Sequence, residues 1–140
     1  MDHPEPWLLA VAAAHLGFQA TVDLVVYPAL AEVAPGDWED AHARHSRRIV
    51  PLVAVLYPCL LGLLGWALLA RPDAAGSWLA LLGGVLAMAT TAGFAAPTHG
   101  RLASAPATER VALLRGLVLA DRVRTAAAAI CLVGALLLVL

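Results

Sequence analysis

The sequence predicts an all-α fold, an integral membrane four-helix bundle running up-down-up-down. Three observations predict it. Hydrophobic residues make up 61% of the 140-residue chain and charged residues 14%, against roughly 45–50% and about 25% in soluble domains. The mean hydropathy is +0.81. The apolar residues gather into four stretches close to the 20 or so helical residues that cross a bilayer core of about 30 Å. One membrane domain over 1–140 accounts for the whole length. The composition excludes disorder, a coiled coil and a basic nucleic-acid module, and a net charge of −1 implies no polyionic partner. The lipid bilayer is the expected environment.

The first span runs over residues 7–31. Its flank, Met1-Asp2-His3-Pro4-Glu5-Pro6, carries no positive charge, and the apolar run is too long for the core of a signal peptide, so the helix is expected to be retained. After Pro35-Gly36, the stretch Asp37-Trp38-Glu39-Asp40 reads as a helix start with acids in its first turn. Trp38, His42, His45 and Ile49 then share one helical face. This predicts a short cytoplasmic amphipathic helix that lies at the interface or leads into span two, residues 49–70. Span three covers 77–96 and stops at Pro97. A second short amphipathic helix is expected over 107–120, with Val111, Leu114 and Val118 as its stripe. The last uninterrupted apolar run, 125–140, is only about 24 Å long, so span four is placed at 121–140 with its arginines snorkelling outward.

All nine basic residues are arginines. That bias suits a GC-rich bacterial genome, and the expected location is a bacterial inner membrane. Arg44, Arg47 and Arg48 fall between spans one and two, and Arg101, Arg110, Arg115, Arg122 and Arg124 between three and four, while Arg71 stands alone between two and three. The excess marks both long connections as cytoplasmic and both termini as outside. Trp7, Trp66 and Trp78 then sit at the outer interface, where indoles prefer to lie. Each half consists of an apolar helix ending at a proline, a segment with His and Arg, and a second span, which suggests a parallel repeat. Gly62, Gly65, Gly83 and Gly84 with Ala80 and Ala87 form small-residue faces for helix packing. A homo-oligomer is compatible with them. Cys59 and Cys131 show no metal or disulfide spacing.

Candidate chemistry sits where lipid-facing residues would otherwise stand. His15, Gln19 and Asp23 form an i, i+4, i+8 stripe in span one, continued by Tyr27. Ionisable groups at membrane depth cost about 2.5–3.5 kcal/mol on insertion scales, so the stripe is expected to face the bundle interior. Packing glue and a functional site both account for it. Pro28 and Pro58 free helical carbonyls. His42, His45 and His99 make a metal or haem site an alternative, although H-x-x-H lacks the spacing of a zinc-protease motif. Asp121 and Arg124 open span four. They are read as partners of an inner-leaflet site, with Arg122 assigned to a structural network. As an enzyme site, His15 or His45 would act as base, Asp23 or Asp121 would orient it, and Arg124 would hold an oxyanion. No phosphate loop, nucleophile elbow or dinucleotide motif is present.

The segments Tyr27-Pro28-Ala29-Leu30, Ala96-Pro97-Thr98-His99-Gly100-Arg101-Leu102 and Asp121-Arg122-Val123-Arg124-Thr125 resemble the anthrone-oxygenase-like family of small four-helix membrane proteins. The resemblance covers nearly the whole chain in layout, with these segments as its motifs. It implies the four-helix membrane fold. It further implies, from some members, oxygenation of a polycyclic phenolic molecule without a dedicated cofactor. The family tends to carry Asn where this chain has His99 and Asp121. The functional expectation is an intramembrane polar site open to the cytoplasmic side that binds or oxygenates a hydrophobic quinone-like or polyketide-like molecule. The alternatives are a metal- or haem-binding protein or accessory subunit, and a structural or transport-related bundle.

Overall fold

The computed structural model describes residues 3–140. It consists of four helices, each long and apolar enough to cross a membrane: α1 (Glu5–Ala31), α2 (Pro35–Ala70), α3 (Ala75–Leu102) and α4 (Ala107–Val139). Prolines mark the starts, with Pro6 in the first turn of α1, Pro35 opening a single tight turn before Trp38, and Pro106 just ahead of α4. At the α2–α3 junction, Ser77 Oγ donates to the Arg71 carbonyl at 2.8 Å, and Arg71 pairs with Glu5 of α1 at 3.5 Å.

Of the two placements expected for the first amphipathic helix, the structure shows the one that leads into span two, and the second amphipathic helix, expected as a separate short element, is likewise continuous with its span. Residues 38–48 are the first turns of α2, and residues 107–120 those of α4. No Gly or Pro falls between Trp38 and Val50, and α4 contains no proline; Pro51 and Pro58 each remove one rung of α2, and the helix continues through both. At 36 and 33 residues, α2 and α4 are about 54 and 50 Å long and overshoot a bilayer core of about 30 Å by several turns.

Consecutive helices run antiparallel. Glu5 at the start of α1 meets Arg71 at the end of α2, Trp38 at the start of α2 bonds to Leu102 at the end of α3, and Gly76 near the start of α3 faces Gly134 and Leu138 near the end of α4. The closest pairing is α3 with α4. A β-carbon on Gly83 would strike the backbone of Ala127 and Cys131, and one on Gly134 the backbone of Ala80 and Gly76. Gly62 and Gly65, by contrast, face open space on the outside of α2. Of the small-residue faces, only that of α3 serves the bundle.

The interior is divided along its length. One apolar cluster, built on Leu8, Leu60, Leu64, Cys131 and Leu138, fills the end where the chain starts. A second, built on Tyr27, Leu30, Trp38, Leu102 and Leu117, fills the opposite end. Between them lie the buried polar residues His15, Gln19, Asp121 and Arg124, beside small residues such as Ala87, Ala127 and Ala128. Large apolar side chains face outward instead, including Leu24, Val55, Leu69 and Leu82, an arrangement that suits lipid as the surrounding medium. Trp7, Trp66 and Trp78 are exposed at one end, and Trp38 is buried near the other. Cys59 is exposed and Cys131 buried, both as free thiols, so they do not form a pair.

Candidate functional site

The buried polar residues join into one chain of hydrogen bonds that draws on all four helices. Gln19 Nε2 lies 3.2 Å from His15 Nε2 and donates to the Tyr57 hydroxyl at 3.3 Å. Tyr57 meets the Thr91 hydroxyl at 2.8 Å. Arg124 donates to Thr91 at 3.4 Å and to the Tyr27 hydroxyl at 3.1 Å, and it forms an ion pair with Asp121 one turn earlier. Tyr27 in turn lies 3.4 Å from His99 Nε2, and His99 Nδ1 lies 3.3 Å from His42 Nε2. His15, Gln19 and Asp121 are completely buried, and Arg124 is 6% exposed.

Helix geometry explains much of this placement. Asp121 and Arg124 are i, i+3 and share a face with Ala128, Cys131, Ala135 and Leu138. Arg122, expected in a structural network, points outward. In α1 the buried line runs His15, Gln19, Val22, Tyr27 rather than through Asp23. Over Val22–Val26 the helix widens to a five-residue turn, and the Tyr27 amide bonds back to Val22 rather than to Asp23. Pro28 follows at once and has no amide proton of its own. Val22 follows Gln19 at i+3 on the inward face, and the added residue brings Tyr27, five residues further on, back to that face. Asp23 is half-buried and does not enter the hydrogen-bonded chain.

A cavity of about 330 Å³ opens beside this chain. Phe18 and Val22 of α1, Ile49, Val53 and Ala54 of α2, and Ala95 of α3 give it apolar walls. Its polar groups are Tyr27, His45, Ser46, Thr91, His99 and Arg124. Val50 and Ala54, exposed on the outside of α2, lie at its rim. His15, Gln19 and Asp121 stand behind this lining. Five buried polar atoms find no partner among the described residues: His15 Nδ1, Gln19 Oε1, Asp121 Oδ2, Arg124 Nε and Thr125 Oγ1. Such atoms are ordinarily satisfied by water or by polar groups of a ligand.

The three histidines named as possible metal ligands do come together, His42 and His99 through their ring nitrogens and His45 beside them. Trp38 stacks on His42 at 5.5 Å between ring centroids, His42 meets His99 edge to edge with 5.6 Å between centroids, and His45 is tilted against His99 at 5.5 Å. Arg110 caps the indole of Trp38 at 5.3 Å. Among the described residues no group of three or more His, Cys, Asp or Glu is arranged to hold an ion. These histidines lie outside the apolar spans 49–70 and 77–96. Burial lowers the affinity of all three for a proton, and His99, also repelled by His45 and His42, is brought down to about 4. All three are neutral at physiological pH, and a neutral imidazole both accepts and donates.

Tyr57 is the site residue that sequence reasoning missed. Its signal was present: a hydroxyl inside an apolar span, directly ahead of Pro58, as Tyr27 stands directly ahead of Pro28. Comparison of the chain with protein-family models, curated proteins and solved structures finds no match.

Proposed function

We propose that this chain is a multi-pass protein of a bacterial inner membrane that binds a flat, largely apolar molecule of quinone-like or polyketide-like type in the cavity. The observation that supports this most is the cavity's division into apolar walls and one polar end at Tyr27, Thr91, His99 and Arg124. Small-molecule sites combine apolar walls with a few convergent polar groups, and 330 Å³ lies at the small end of their range of about 300–1,000 Å³. The clustering of arginines orients the site toward the cytoplasm, with both termini outside.

The same groups suit acid–base chemistry on such a molecule. His45 or His99 accepts a proton, Arg124 stabilises the oxyanion that develops, and Asp121 keeps Arg124 aimed. The family resemblance extends this to oxygenation of the resulting carbanion by dioxygen without a cofactor. The binding step is tested by equilibrium dialysis of menadione, a bicyclic quinone, against detergent-purified protein and its Val53→Trp variant, which fills the apolar wall. Saturable binding by the wild type and at least about tenfold weaker binding by the variant support the proposal. Equal binding by both, or none by the wild type, overturns it.

A further inference from the structure

The Tyr27 hydroxyl fixes the direction of each proton between the cavity and the histidine stack. Tyr27 is 2% exposed, and its oxygen accepts from Arg124 Nη2 at 3.1 Å. A guanidinium offers only donors, so the phenolic proton must point elsewhere, and His99 Nε2 at 3.4 Å is the partner in reach. That nitrogen therefore accepts. A neutral imidazole carries one proton, so His99 holds its own on Nδ1 and donates it to His42 Nε2 at 3.3 Å. His42, accepting on Nε2, holds its proton on Nδ1.

We propose that Tyr27, His99 and His42 form a proton relay from the cavity to the end of the bundle. A donor in the cavity, which Tyr27 lines, gives a proton to the Tyr27 oxygen as the phenolic proton passes to His99 Nε2. The His99 Nδ1 proton passes to His42 Nε2, and the His42 Nδ1 proton passes to water. One proton moves from donor to solvent, only O–H and N–H bonds change, and rotation of the two rings resets the path. Arg124, paired with Asp121, holds the Tyr27 oxygen in place without titrating. His45 lies beside His99 at 5.5 Å between ring centroids, and the hydrogen bonds of His99 go to Tyr27 and His42 instead. The buried cluster of Leu8, Leu60 and Leu64 closes the opposite end, so the relay serves the cavity and does not conduct across the bundle. It holds for any proton donor in the cavity, water included, and so goes beyond the proposed ligand class.

The test is nitrogen-15 NMR of the full chain in detergent micelles with labelled histidine, near neutral pH. The wild type is expected to show His99 and His42 neutral with the proton on Nδ1. In Tyr27→Phe, which keeps the ring and removes the phenolic donor, His99 is expected to move to the Nε2-protonated form. In His42→Phe, which keeps an aromatic ring between Trp38 and His99, exchange of the His99 Nδ1 proton with water is expected to slow by about tenfold or more. His99 protonated mainly on Nε2 in the wild type overturns the relay and needs no variant to show it. Unchanged exchange in a folded His42→Phe protein overturns it as well.

Discussion

The Asp121–Arg124 pair makes the reading of the polar layer quantitatively testable. Asp121 is completely buried and Arg124 nearly so, and Arg124 also serves Tyr27 and Thr91. Breaking a buried pair by removing one partner costs about 3–5 kcal/mol, because the other charge is left uncompensated. The two single variants are not equivalent. A lone buried carboxylate can escape by taking up a proton, whereas a guanidinium cannot lose one. Asp121→Leu, which strands Arg124, is therefore expected at about 3–5 kcal/mol. Arg124→Met is expected at about 2–4 kcal/mol, since Tyr27 and Thr91 each lose a donor while Asp121 can neutralise itself. The double variant removes both charges, leaves an apolar pair and strands no ion. Its cost is expected near 1–2 kcal/mol, set by the two hydroxyls that lose their donor. Reversible unfolding in mixed micelles of increasing SDS fraction, followed by circular dichroism, gives the full double-mutant cycle. Single variants that lose less than about 1 kcal/mol, or a double variant equal to the sum of the singles, would refute the conclusion that this is a buried, mutually compensating pair.

Two further predictions concern packing and pH. Gly83→Ala is expected to destabilise the bundle by about 1–3 kcal/mol, because its β-carbon would lie 2.5 Å from the Ala127 carbonyl oxygen. Gly62→Ala, with nothing within 4 Å, should be neutral or slightly stabilising, and the same micellar unfolding assay compares the two. The histidine stack predicts a stability that is flat above neutral pH and falls as pH drops. Between the ordinary imidazole value of 6.5 and the lowered value of about 4 for His99, the unfolded chain binds the proton and the folded chain does not. The decline should therefore fall in that window and be shallower in His99→Gln. Equal slopes for the two proteins would show that His99 is not the group responsible.

The helices were legible because burial in lipid and burial in protein both select apolar residues, and four long runs of them leave little freedom in the architecture. The inward set was legible wherever a regular helix carries it, as with His15 and Gln19 at i, i+4 or Asp121 and Arg124 at i, i+3. Continuity of α4 through its polar connection was harder to see, because hydropathy reports where apolar residues stop and not where a hydrogen-bond ladder stops. Asp23 marks where periodicity fails. Its assignment assumed a uniform turn, and the backbone widens one residue earlier.

That widening occurs twice, and its repetition accounts for the cavity. Thr91–Ala95 in α3 forms the same five-residue turn, with the Ala96 amide bonding back to Thr91 directly ahead of Pro97, as the Tyr27 amide does directly ahead of Pro28. In an alternating bundle α1 and α3 run in the same direction, so both wide turns fall along the same stretch of the interior. Each wide turn starts at a residue lining the cavity, Val22 in α1 and Thr91 in α3. A wide turn pushes backbone outward and breaks the spacing that would pack side chains tightly, and here two helices do so together. A proline follows each wide turn by one residue and cannot fill its own rung of the ladder, whereas Pro51 and Pro58 sit in regular α-helix within α2. The repeat visible in the sequence as two prolines at the ends of apolar helices is therefore a repeat of backbone geometry. It opens space next to Arg124, while the regular helix α4 carries the charge that faces that space.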